Sequence, residues 1–332
     1  MTPQGLGRLR VADLVVELPA DLELPDAAVL EANLRPFAVG ERAGADPEEG
    51  AADEADIVVG RAAASLDGAA LPKGAFRVDV NRVDARPVED PIVKPFWIWE
   101  GAEGREDAET DRTTAEALRA LRGTRREPGR KPVATTIHVR GALRTSLEVI
   151  AGIHLGLAHL LPKRDGLLLH ASAVRAAGNA FVFAGPAESG KSTAAGGFSG
   201  GTVLADERVA VRSMQCTSPA PTHGWRAYPV PMWGGKYQPV AADVVPLAMV
   251  VVVRKNAPLA ASVLPAPAGM SRLARAVVHN HYDGARADAV LGTLARLATE
   301  VPVVELSYGL GEPFADVLVE RWVAARRGEV SC

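Results

Sequence analysis

The chain has 332 residues, above the roughly 100 to 200 of a single domain, and its 37 basic against 40 acidic side chains give an isoelectric point near 6.2. That balance lacks the positive field of a nucleic-acid or anionic-membrane binder, so neither partner is expected. Two cysteines, Cys216 and Cys332, make neither a disulfide framework nor a Cys/His zinc spacing.

The N-terminal residues Met1 to Arg10 contain no apolar run, and the longest apolar stretch, Val244 to Val253, is half the roughly 20 residues needed to span a bilayer. A soluble, cytoplasmic protein is expected. From Leu9 to Gly40, short apolar runs are interrupted by Pro19, Pro25 and Pro36, which reads as short strands and turns without helix. Residues 41–56 carry seven acids and one base with no large apolar anchor, and read as a mobile surface loop.

Strand-like sequence resumes at Ile57, with further strands expected at Phe76 to Val80 and Phe96 to Trp99. Residues 100–132 read as a polar excursion with a short helix over Thr114 to Leu121. After a strand at Ala134 to Arg140, Thr145-Ser-Leu-Glu148 has the capping-box spacing, so a helix is expected from there to about Leu161. Its apolar residues lie on nearly every side, which predicts a helix sandwiched between layers. Residues 1–140 are thus expected to form a β-rich N-terminal domain, and residues 141–332 a second domain.

Two strands, Leu167 to Val174 and Ala180 to Ala184, are expected to form a hairpin about Gly178-Asn179. The second delivers the chain to Gly185-Pro186-Ala187-Glu188-Ser189-Gly190-Lys191-Ser192-Thr193, a GxxxxGK[ST] phosphate-binding loop. Small residues in such a loop let backbone N–H groups approach phosphates. The motif assigns Lys191 to the β- and γ-phosphates of ATP and Ser192 to magnesium. The helix that follows, Ser192 to about Phe198, contains Gly196-Gly197 and must be short, because each interior glycine costs about 1 kcal/mol against alanine.

A strand at Thr202 to Ala205 then presents Asp206 and Glu207, fifteen residues beyond Lys191. An acidic pair at a strand end is ordinarily a solvated turn. After a phosphate loop the pair can supply both a metal ligand, for which Glu207 is the candidate, and an acceptor for a hydroxyl proton.

This order of residues, with His170 fifteen positions before Gly185, resembles the catalytic domain of the bacterial HPr kinase/phosphorylase family, and more closely its smaller HPr-kinase-related relatives. The likeness runs from about Ser146 to Arg321 and includes Trp233-Gly-Gly-Lys236, the strand Val245 to Arg254 and the stretch Leu306 to Phe314. It implies an α/β fold with a mixed-sheet P-loop domain like that of phosphoenolpyruvate carboxykinase. It also implies Asp206 as general base toward a seryl hydroxyl, with His170 beside it. Glu207 stands where the family usually has a second Asp, and the family's Glu-Arg-Gly signature is absent, so HPr itself is not the expected acceptor. Family members assemble into oligomers, which leaves self-association open.

The expectation is therefore an ATP- and magnesium-dependent kinase acting on a Ser of a protein or peptide. Its alternatives are a small-molecule kinase or carboxykinase-like enzyme, and a nucleotide-binding regulator without turnover. Lys236 and Arg254 are further candidates for phosphate or substrate contacts. The cluster His279, Asn280, His281 and Asp283 fits no standard metal spacing and reads as a helix end.

Overall fold

The computed structural model describes residues 8–19, 24–38, 57–61, 76–78, 82–83, 86–87, 96–100, 137–141, 143–214, 224–232, 243–255, 257–278, 284–309 and 311–326. Outside them lie the loop expected at 41–56, that expected at 100–132 beyond Glu100, the helix expected at 114–121, Trp233 to Lys236, His279 to Asp283, and both cysteines.

In chain order come β1 (Arg8–Val11), β2 (Leu14–Glu17), α1 (Ala27–Leu34), β3 (Ile57–Arg61), β4 (Phe76–Val78), β5 (Arg82–Val83), β6 (Arg86–Pro87), β7 (Phe96–Glu100) and β8 (Ile137–Gly141). Then follow α2 (Ser146–Leu160), β9 (Gly166–Leu169), β10 (Ala171–Ala176), β11 (Asn179–Ala184), α3 (Lys191–Gly196), β12 (Thr202–Ala205), β13 (Val209–Met214) and β14 (Gly224–Pro229). The chain continues with β15 (Val245–Lys255), β16 (Ala260–Val263), α4 (Ala266–Leu273), β17 (Val277–Val278), α5 (Gly284–Glu300), β18 (Val303–Tyr308) and α6 (Phe314–Arg326).

The first sheet has the order β1-β2-β3-β8-β7-β4, with β3 parallel to both β2 and β8. Helix α1 corrects the helix-free reading of this region. Ala-Ala-Val-Leu-Glu-Ala-Asn-Leu is rich in helix formers, Leu30 and Leu34 are fully buried one turn apart, and Pro25 and Pro36 bracket the helix from outside.

Helix α2 opens with the expected capping box: Thr145 Oγ1 accepts from the Glu148 N–H, and Glu148 Oε2 accepts from the Thr145 N–H at 3.2 Å. Asp26, just before α1, adds a third tie, because its carboxylate accepts the Ser146 N–H at 3.1 Å. Three of the orphan donors at this helix end are thereby satisfied. No residue of α2 is exposed. Its Val149, Ile153 and Leu157 share one core with Val16, Ile57 and Val139 of the first sheet and with Leu168, Ala210 and Tyr228 of the second, so the helix is sandwiched as its all-round apolar sequence requires.

The second sheet has the order β12-β10-β11-β15-β14-β13-β9-β17, with β18 joined to β15 and β16. Strand β15 runs parallel to β11 and β18, and the other pairs are antiparallel, so this is a mixed α/β fold with a mixed-orientation sheet. Alternation along its strands feeds two cores. Val182, Val250 and Val252 pack with Leu273 of α4 and Leu294 and Leu297 of α5. Phe181, Phe183 and Val251 pack with Ala194 and Ala195 of α3 and Phe314 and Leu318 of α6.

The single strand expected over Leu167 to Val174 is two strands. β9 pairs with β13, β10 pairs with β11 and β12, and His170 occupies the break, its N–H donating to Ala276 O at 2.6 Å. The chain makes a matching crossing between β12 and β13 at Asp206 to Arg208. The two crossings lie side by side, with Leu169 opposite Val209 and the Ala171 N–H donating to Glu207 O at 3.3 Å. Almost every residue from Leu167 to Val174 is buried on both faces, so no apolar-polar alternation marks the break in sequence.

Candidate functional site

The turn between β12 and β13 is tight. The Arg208 N–H donates to Asp206 O at 2.8 Å across Glu207, whose φ is 66°. An i to i+2 hydrogen bond about a positive φ is the strained form of γ-turn, and a glutamate in it costs on the order of 1 kcal/mol or more. The turn sends the two acidic side chains to different places.

Asp206 is 1% exposed. Its Oδ1 accepts from Ser192 Oγ at 2.7 Å and from Ser172 Oγ. Ser192 lies in the first turn of α3, directly after Lys191, so this contact joins the end of the Gly185–Thr193 loop to the end of β12. Ser172 is fully buried on β10 and was not singled out from the sequence. The available signal was a hydroxyl within the otherwise apolar run of that strand, which needs a buried partner.

Glu207 turns the other way, its side chain 27% exposed, with Oε2 lying 3.7 Å from His170 Nε2. His170 Nδ1 faces Arg208 Nη1, which also donates to Glu207 O at 2.8 Å. Burial first, then the charges of Arg208 and Lys191, drive the His170 pKa down to about 3 against the opposing pull of Asp206. The imidazole is therefore neutral near pH 7. Arg208 also depresses His154 of α2, after burial, to about 3; His154 Nε2 bonds Pro231 O at 2.6 Å.

The loop enters from β11 at Gly185, where a Cβ would stand 2.7 Å from Ser189 Oγ. That Ser189 oxygen is buried with no hydrogen-bond partner, a group of the kind that a polar ligand satisfies. Pro186, Ala187, Glu188 and Thr193 are exposed, Glu188 with a φ of 63°. Lys191 is 5% exposed, and its Nζ reaches back across the loop to Pro186 O at 2.8 Å.

Gly190, at φ 99°, needs its missing side chain twice over. The backbone is left-handed, and a Cβ would meet Tyr308 Oη at 3.2 Å and the stem of Lys255 from 3.7 Å. Tyr308 Oη donates to Gly190 O at 3.2 Å, and burial raises its pKa.

Arg254 lies away from this loop. It shares the face of β15 with Val250 and Val252, and its Nη1 stands 3.4 Å from Glu305 on β18. Lys255, one residue on, shares the other face with Val251 and Val253, which pack on the side of α3, and its stem runs beside Gly190. Strand parity carries the cation at 255 to the loop, and the sequence reading chose its neighbour. Lys236 lies outside the described residues.

The donor set suits a magnesium-bound nucleoside polyphosphate. A serine hydroxyl and a carboxylate oxygen within 2.7 Å are hard oxygen ligands of the kind magnesium takes beside phosphates. The glycine-lined loop with an ammonium across it suits the phosphate chain. Among the described residues no group of three or more His, Cys, Asp and Glu side chains forms a metal site, and no helix is long and apolar enough to cross a membrane. No protein-family model matches the sequence, and a search of curated proteins returns no match.

Proposed function

We propose that the protein is an ATP- and magnesium-dependent kinase that phosphorylates a seryl hydroxyl of a protein or peptide, on a P-loop domain of the HPr-kinase-related type. The observation that carries this reading is the 2.7 Å contact between Ser192 and Asp206. It brings the hydroxyl that follows the lysine of a phosphate-loop motif to an acid fourteen positions away in sequence, with Lys191 on the same loop.

In this reading the backbone of Gly185–Thr193 and Lys191 hold the phosphates. Magnesium, held by Ser192 and Asp206, would neutralise charge that builds on the phosphate oxygens during transfer. The geometry favours Asp206 for the metal, because it is buried and its Oδ1 already accepts from Ser192 Oγ at 2.7 Å. Glu207 is the more accessible carboxylate and suits the acceptor's proton. Lys255 flanks the loop as a second cation.

The test is magnesium-dependent ATP binding and phosphate transfer to acceptors from the native host, by the wild type beside Lys191→Ala, Asp206→Asn and Glu207→Gln. Labelled phosphoserine that disappears with Glu207→Gln, while ATP still binds, supports the assignment. Binding without any labelled product would instead select a nucleotide-binding regulator.

A further inference from the structure

We propose that Arg208 is a positioning residue for His170: it fixes the imidazole as its Nε2–H tautomer, with that N–H turned toward the Glu207 carboxylate. The proposal rests on the kinase reading only for what Glu207 does; the chain of contacts Arg208–His170–Glu207 itself stands on geometry.

Arg208 Nη1 is a donor that carries no lone pair, and it faces His170 Nδ1. A ring nitrogen in that place must accept, so Nδ1 bears no hydrogen and the single ring proton sits on Nε2. Nε2 in turn faces Glu207 Oε2 at 3.7 Å. The same guanidinium nitrogen donates to Glu207 O at 2.8 Å, so Arg208 grips both the imidazole and the backbone of the residue that the imidazole addresses.

The fold makes this chain rigid at both ends. His170 is pinned at the β9–β10 break by its N–H to Ala276 O, and Glu207 at the γ-turn by the Ala171 N–H to its carbonyl. Among the described residues, Lys191 of α3 and Asp206 of the turn also act on the imidazole, with opposing effects. Such a neutral, oriented histidine does not take the acceptor's proton. It turns an N–H toward Glu207 Oε2, 3.7 Å away, and keeps no ring lone pair free to accept a proton.

The test is long-range proton–nitrogen correlation on the full-length protein with ¹⁵N-labelled histidine at pH 7, the His170 signals assigned by their loss in His170→Asn. The wild type is expected to show one protonated nitrogen, Nε2, and an unprotonated Nδ1. Arg208→Met is expected to convert this to a mixture of tautomers, with Arg208→Lys restoring the Nε2–H form in part. A wild-type spectrum with Nδ1–H or a doubly protonated ring overturns the proposal, whether or not the Arg208 variants fold. So does an unchanged tautomer in folded Arg208→Met. No nucleotide is needed, so failure of the kinase reading appears separately, as absence of ATP binding.

Discussion

Ser192 and Ser172 donate to the same oxygen, Oδ1 of Asp206, one from helix α3 and one from the buried strand β10. The convergence fixes the carboxylate between the loop and the sheet. Asp206→Asn and Ser192→Ala should therefore each remove the magnesium-dependent part of ATP affinity, by about 10- to 100-fold, while leaving magnesium-free binding nearly unchanged. Calorimetric titration with and without magnesium separates the two. Equal losses under both conditions would place Asp206 outside the metal's reach.

Gly190 should tolerate no side chain. Gly190→Ala puts a Cβ in left-handed backbone and against Tyr308 Oη at 3.2 Å, so a destabilisation of about 1 to 2 kcal/mol is expected together with weakened ATP binding. Tyr308→Phe removes only the bond to Gly190 O and should cost about 0.5 to 1.5 kcal/mol. Urea unfolding of the two variants checks the order. A Gly190→Ala protein as stable as the wild type would contradict the described loop backbone.

These residues also mark how far the sequence could be read. The hairpin, the strand–loop–helix order about Gly185–Thr193, the strand ending at Ala205 and the capping box of α2 each have local chemistry that specifies them, and all four are present in the fold. The crossings at His170 and at Asp206-Glu207-Arg208 carry no such mark. A γ-turn with positive φ advertises itself when Gly or Asn occupies it, and here the residue is Glu207. Buried strands lack alternation, so β9 and β10 read as one. Lys255 is not marked in the sequence because a strand's parity has no meaning until the faces are known. Helix α1 was hidden by prolines that flank it.

Acid should destabilise the fold through two histidines. His154 and His170 are held neutral down to about pH 3 in the fold, against an ordinary value of 6.5. Between these limits the unfolded chain binds the extra protons, so stability rises with pH. Their contribution is complete above about pH 6.5 and is lost as pH falls toward 3. His154→Gln should flatten the slope of unfolding free energy between pH 7 and 5 by up to about 1.4 kcal/mol per pH unit, and His170→Gln likewise. Unfolding titrations across that range measure it, and an unaltered slope would show that the histidines protonate inside the fold.

The cap of α2 ties the two sheets' shared core to its start. Thr145→Ala removes the acceptor for the Glu148 N–H and should cost about 1 kcal/mol. Thr145→Ser keeps the oxygen and should restore most of it. Thermal unfolding of the pair makes the comparison. Equal melting temperatures for Thr145→Ala and the wild type would contradict the cap's contribution.

Equilibrium binding of magnesium-ATP to the full-length wild type and to Lys191→Ala tests whether Gly185–Thr193 binds the phosphates of ATP. Saturable binding is expected of the wild type, and its loss when Lys191 is removed with the fold retained. Saturable binding that survives loss of Lys191, or no binding by the folded wild type, would contradict it.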